Sequence, residues 1–189
     1  MSASSSIKGA TNAIKIVNEN LEAGNYTNEH DVKYNENVRE MARIWRVMVI
    51  ADFVDIFGPY ALDAFQGVNP HFSSVKDVYY WFFEELKEAQ ANLHLDVTAT
   101  DAEKKQDVAY NGNFAMWQKL ANSLRLRYAM RLSEVDNAKA KSEFEAAVQT
   151  GKLMTAQEDL LGFPTAGGWS NWENVYNRGW NDNVISSSM

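Results

Sequence analysis

Asp52 and Asp55 stand one helical turn apart in a run that is otherwise apolar, Val47-Met-Val-Ile-Ala-Asp-Phe-Val-Asp-Ile-Phe57. Two carboxylates at that spacing could serve as a general acid and base. They could equally neutralise guanidinium groups elsewhere in the fold, with Arg127 and Arg131 as partners. Ionised groups among apolar neighbours are normally paired, so structural ion pairs are the expected role. His30, His71 and His94 are far apart, and none stands in an H-E-x-x-H or E-x-x-H pattern, so no metal site is expected. P-loop, G-x-G-x-x-G and G-x-S-x-G motifs are absent. No cofactor is called for and nothing specifies an enzyme.

Binding chemistry without catalysis is better represented. The segment Phe163-Pro-Thr-Ala-Gly-Gly-Trp-Ser-Asn-Trp-Glu-Asn-Val-Tyr-Asn-Arg-Gly-Trp180 carries three of the six tryptophans. Sugars present flat C–H faces rimmed by hydroxyls, and they are held by aromatic platforms beside polar groups in a preformed cleft. Trp169, Trp172, Tyr176 and Trp180 could supply the platforms, with Asn171, Asn174 and Arg178 as the polar groups. The same aromatics could instead be buried, anchoring an irregular loop against helices, and their bulk favours that packing role. A second candidate is the stretch 60–72, where Phe65, Gln66, Asn69 and His71 lie between two helical patterns, a usual place for specificity.

These residues need a scaffold, and the periodicities describe one. Ile7, Ala10, Ile14, Val17 and Leu21 mark a first amphipathic helix closed by Gly24. After a polar link over 25–35, a second helix is predicted over about 36–57. It has Val38, Met41, Ala42, Trp45, Val49, Phe53 and Ile56 on one face and Val47, Ile50 and Val54 on the other, and Gly58-Pro59 ends it. Ser74 can cap a third helix with Asp77 in its first turn, burying Val75, Val78, Tyr79, Phe82, Leu86, Ala89 and Leu93. Residues 95–109 read as loop, Asn111-Gly112 as a turn, and Asn113 as the cap of a central helix. That helix places Trp117, Leu120, Ala121, Leu124, Tyr128 and Leu132 on one face and Leu126, Ala129 and Met130 on the opposite one. Arg125, Arg127 and Arg131 lie on the flanks. Asp136 caps a last short helix carrying Phe144, Ala147 and Val148, stopped by Gly151. The expected fold is all-α, with antiparallel helix pairs stacked side by side like degenerate tetratricopeptide-type units. The chain is read as one helical domain over 1–189, disordered over 1–5 and irregular over 163–189.

At 189 residues, 46% hydrophobic and 12% aromatic, the chain can bury a sizeable core. Its net charge of −7 disfavours nucleic acid as a partner. No apolar run reaches the length of a membrane span, and no secretory signal opens the chain. Zero cysteines excludes disulfides, thiolate metal sites and thiol nucleophiles within it.

The string Tyr110-Asn-Gly-Asn113, Trp117-Gln-Lys-Leu-Ala-Asn-Ser-Leu-Arg-Leu-Arg-Tyr-Ala-Met-Arg131 and Ser133-Glu-Val-Asp136 resembles the SusD/RagB-like family of Bacteroidetes outer-membrane lipoproteins. Arg43-Ile-Trp-Arg46 running into Asp55-Ile-Phe-Gly-Pro-Tyr60 is similar to that family's helix and G-x-P loop. Val75-Lys-Asp-Val-Tyr-Tyr80 to Glu85-Leu-Lys-Glu-Ala89, Gly151-Lys-Leu-Met154 and Asn183-Val-Ile-Ser186 also fit, so the resemblance spans about 38–187. It implies a surface protein that captures an oligosaccharide or other nutrient and delivers it to a SusC-like TonB-dependent transporter, without catalysis. It also implies an extracellular position on the outer membrane, and that the anchoring cysteine and a C-terminal half lie outside this chain. The alternative is a helical-repeat module that only binds other proteins. No family site residue is carried onto the 60–72 loop by the resemblance.

Overall fold

Helices form where the 3.6-residue period finds both a cap and a neighbour to bury it. The computed structural model describes residues 3–161, and these contain six α-helices: α1 (Ala3–Glu22), α2 (Glu29–Phe57), α3 (Val75–Asn92), α4 (Asp101–Lys104), α5 (Phe114–Leu132) and α6 (Asn137–Gln149). A 3-10 turn follows at Gln157–Asp159. Among the described residues no strand forms, and Tyr60 and Ser73 make one isolated antiparallel bridge. α1 packs on α2, α2 on α3, α3 on α5 and α5 on α6. Cross-contacts give the directions: Asn37 reaches His94 while Asp55 reaches Tyr79, so α2 and α3 run antiparallel. The architecture is a row of antiparallel helix pairs of the tetratricopeptide kind.

α1 starts at Ala3, within the stretch expected to be disordered. α2 starts at Glu29, seven residues before its expected beginning. Asn28 caps it by accepting from Asp31 N at 2.8 Å, with Glu29 and Asp31 near the positive end of the helix. Those first residues were hidden because Tyr34 is their one buried position, which leaves no apolar period to read. The central stripe of α2 is Tyr34, Asn37, Glu40, Ile44, Val47, Ile50, Ala51 and Val54, close to the face expected to be secondary. Val38, Met41, Val49 and Phe53 pack only partly, and Ile56 is 73% exposed. Buried polar groups in this stripe are satisfied. Asn37 donates to His94 O at 3.0 Å and accepts from His94 N at 2.7 Å, sealing the end of α3. Glu40 takes Arg39 at 2.8 Å and Arg43 at 3.0 Å, while Arg43 also reaches Glu85 and Glu88.

α3 buries the expected stripe with Phe83 added, whereas Val75 stays exposed at its start. Residues 95–109 are not all loop, because Thr100 and Glu103 form a reciprocal capping box that nucleates α4. α5 buries its whole predicted face, but the opposite face is covered only in part: Ala129 is buried and Met130 is 59% exposed. Asn113 precedes α5 without donating or accepting a side-chain cap bond. Asp107 organises that corner instead. Its carboxylate accepts from Ala109 N (3.1 Å), Tyr110 N (3.2 Å), Gly112 N (3.0 Å) and Trp117 Nε1 (2.9 Å).

The turn itself needs both of its residues left-handed, Asn111 at φ 55° and Gly112 at φ 76°. A Cβ on Gly112 would stand 2.6 Å from the Ala99 Cβ. Gly112→Ala therefore meets both left-handed strain and a clash, and urea unfolding should show a loss of about 2–4 kcal/mol. A loss under ~1 kcal/mol would mean the 97–100 segment moves aside freely.

Candidate ligand-binding cleft

Antiparallel packing gathers four helix termini at one end of the stack: the last turn of α2, the first turns of α3, the end of α5 and the start of α6. Between them lies a cleft of about 400 Å³. Val54 and Asp55 come from α2. Val75, Lys76, Tyr79 and Tyr80 come from α3. Arg131, Leu132, Val135 and Asp136 come from the α5–α6 corner.

Two tyrosine–carboxylate pairs flank the cleft. Tyr79 donates its hydroxyl to Asp55 Oδ1 at 2.5 Å, and Arg131 pairs with the other oxygen of Asp55. Tyr80 donates to Asp136 Oδ2, whose Oδ1 accepts from Lys139 N at 3.1 Å and caps α6. Burial, then the hydrogen bond to Asp55, pushes the Tyr79 phenol up to about 12, so it remains a donor throughout the neutral range. The hydrogen bond from Tyr80, then the Lys139 N–H, holds the Asp136 carboxyl below the usual range. The Lys76 ammonium lies 5.3 Å and the Lys139 ammonium 5.1 Å from the Tyr80 ring centre. Both carboxylates are therefore fixed through both of their oxygens, and each oxygen keeps a further lone pair for a ligand.

Beside the cleft, residues 61–72 form a loop pinned at its neck. Ser73 N donates to Tyr60 O at 2.9 Å and Tyr60 N returns a bond at 3.3 Å. Within the loop Asp63 accepts from His71 N at 3.0 Å, and the Gln66 amide donates to Leu62 O at 3.1 Å. Phe65, Gln66, Asn69 and His71 are all exposed on it. Phe65 is held at φ 66°, a left-handed conformation that costs about 1–2 kcal/mol for an L-residue. Phe72 is 76% exposed, and Ile56, Phe57 and Val68 add further exposed apolar surface at this end.

Of the four charged residues expected to form ion pairs, Asp55 and Arg131 meet, although they stand at positions 55 and 131 of the chain. Asp52 and Arg127 are exposed, and neither makes an ion pair among the described residues. The third arginine of α5, Arg125, is buried and reaches Glu143 at 2.8 Å. The histidines are dispersed: His30 contacts Glu103 at 3.1 Å, His94 contacts Glu36 at 2.7 Å, and His71 contacts Asp63 at 3.4 Å. No cluster able to hold a metal ion occurs among the described residues. Trp169, Asn171, Trp172, Asn174, Tyr176, Arg178 and Trp180 lie outside the described residues. Sequence reasoning missed Lys76, Tyr80, Val135 and Asp136 as cleft residues. The available signal was weak, consisting of two adjacent tyrosines, only one of which suits the buried stripe.

The family model described as SusD-like, "Susd and RagB outer membrane lipoprotein", matches residues 7–189. A structure described as a chitin-binding protein is 31% identical, with a TM-score of 0.66 over 82% of this chain and 31% of that one. A SusD homolog from Parabacteroides distasonis is 29% identical, with a TM-score of 0.73 over 90% of this chain and 33% of that one. A SusD homolog from Bacteroides thetaiotaomicron is 31% identical, with a TM-score of 0.65 over 78% of this chain and 30% of that one. The chain thus spans about a third of the length of these structures. No curated protein matches it.

Proposed function

The chain belongs to the SusD-like family of SusD and RagB outer membrane lipoproteins, and from that premise we propose that it is part of a surface receptor that binds a glycan or similar nutrient without catalysis. On this reading the receptor sits on the extracellular face of the outer membrane and passes its ligand to a SusC-like TonB-dependent transporter. The observation that carries the reading is the family match across residues 7–189, with a chitin-binding relative at 31% identity. The cleft and the adjacent aromatic loop are consistent with it. They offer a concave apolar surface with a few oriented polar groups, as small-ligand sites do.

The proposed contacts are Phe65, Gln66, Asn69 and His71 on the loop, together with Trp169, Asn171, Trp172, Asn174, Tyr176, Arg178 and Trp180 of the tail. Calorimetric titration with chitin, β-glucan, α-glucan and host-type oligosaccharides tests this. Saturable binding is expected, weakened about tenfold or more by Phe65→Ala or Trp172→Ala, the effect of one lost aromatic anchor. Melting temperatures of these variants should stay unchanged. The second reading is a protein-docking module, favoured by the exposed Ile56, Phe57, Val68 and Phe72. Silence toward every sugar combined with co-purification of a transporter would select it.

A further inference from the structure

We propose that the cleft between the α2–α3 and α5–α6 corners seats one neutral pyranose unit of the captured glycan, an inference that rests on the glycan-binding reading above. The lining is two-faced, as a sugar is. Val54, Val75, Leu132 and Val135 offer apolar surface for ring C–H groups, and Asp55 and Asp136 offer carboxylate acceptors for hydroxyls. Each carboxylate is already fixed by a tyrosine hydroxyl, so ordering it on binding costs little. The unused lone pairs of these oxygens suit sugar O–H donors, while Lys76 and Arg131 suit sugar oxygens as acceptors.

Charge sets the class of sugar. The lining carries two carboxylates and two cations, with Asp55 compensated by Arg131. Asp136 is compensated by Lys76 and Lys139, both of which act on it electrostatically. A uronate or sulfated ring would be brought against Asp55 and Asp136. An amino sugar would be brought against Lys76 and Arg131. A hydroxyl-rich neutral ring that both donates and accepts satisfies all four groups.

Val135 is 84% exposed at the cleft mouth, with Val75 on the facing wall also exposed. These are apolar lips on a cleft whose interior polar groups are paired. A sugar ring entering between them would cover both. Phe72, three residues before Val75 in the chain, is exposed as well.

The test is titration of the full chain with neutral trimers (chitotriose, cellotriose, maltotriose, xylotriose) and with trigalacturonate and a glucosamine trimer. It is repeated for Val135→Trp and Asp136→Asn. Val135 is exposed, so a tryptophan there obstructs the mouth without disturbing the core, and asparagine keeps the α6 cap. The expected result is that at least one neutral trimer binds, that Val135→Trp weakens it tenfold or more, and that Asp136→Asn weakens it severalfold. Charged trimers should bind more weakly than the neutral one. Undiminished binding by Val135→Trp would overturn the cleft assignment while leaving the glycan reading intact. Preference for a charged trimer would overturn the charge argument. Binding of none of them by the unmodified chain would remove the glycan reading, and this inference with it.

Discussion

Asp107→Ala will destabilise the chain by about 3–5 kcal/mol, among the largest single-residue effects expected here. One buried carboxylate accepts three backbone N–H groups and the Trp117 indole N–H. Deleting it leaves a buried donor on a core side chain without a partner and releases the turn that starts α5. Tyr110 packs edge-on against Trp117 with centroids 5.6 Å apart, and its hydroxyl donates to Asp159 O, so the damage spreads to the 157–159 turn. For a chain of this size the expected fall in melting temperature is about 6–20 °C. Asp107→Asn keeps one acceptor oxygen and should lose roughly half as much. A melting curve for Asp107→Ala within 3 °C of the unmodified chain would show that water replaces the carboxylate without difficulty.

Glu143→Ala should cost about 3–5 kcal/mol, because it strands Arg125 in the interior without its counter-charge. Arg125 is 3% exposed and meets Glu143 at 2.8 Å, with Asn122 as a further partner at 3.4 Å. Replacing both members, as in Arg125→Met with Glu143→Met, should cost far less than either single change, since burying two apolar side chains carries no charge penalty. A simple sum of the two single losses would refute the coupling.

Acidity offers an independent check on the same pair. Burial opposes ionisation of Glu143, but its hydrogen bonds to Arg125 and Lys139 prevail and hold the carboxyl below the ordinary glutamate value of 4.5. A depressed folded-state value means the contribution is present above 4.5 and is lost as pH falls through the folded value. Glu143→Gln should accordingly show a flatter loss of stability on the acid side.

The helical class, the order of the helices and the buried face of α5 were legible because each rests on local information. A 3.6-residue apolar period identifies a helix wherever its neighbours lie. Ser74 and Asp136 announce their caps by residue type, and both accept the expected backbone N–H. The early start of α2 was not legible because Tyr34 alone is buried over 29–35 and the next two buried positions, Asn37 and Glu40, are polar. Polar residues are buried only where a distant group satisfies them, and Asn37 depends on His94, 57 residues away.

The cleft was illegible for the same reason. Tyr79 and Tyr80 are neighbours in the chain, yet their hydroxyls go to Asp55 on α2 and Asp136 at the start of α6. Asp52 and Asp55 are equivalent by spacing, but only Asp55 faces Arg131 across the stack. What this amino-acid sequence determined by itself was the long helices, the Ser74 and Asp136 caps and the family resemblance, since periodicity and capping act within a few residues. Which carboxylate pairs with which cation, and which four helix ends enclose a cleft, was decided by tertiary structure alone, because those contacts depend on the register between helices that no local pattern encodes.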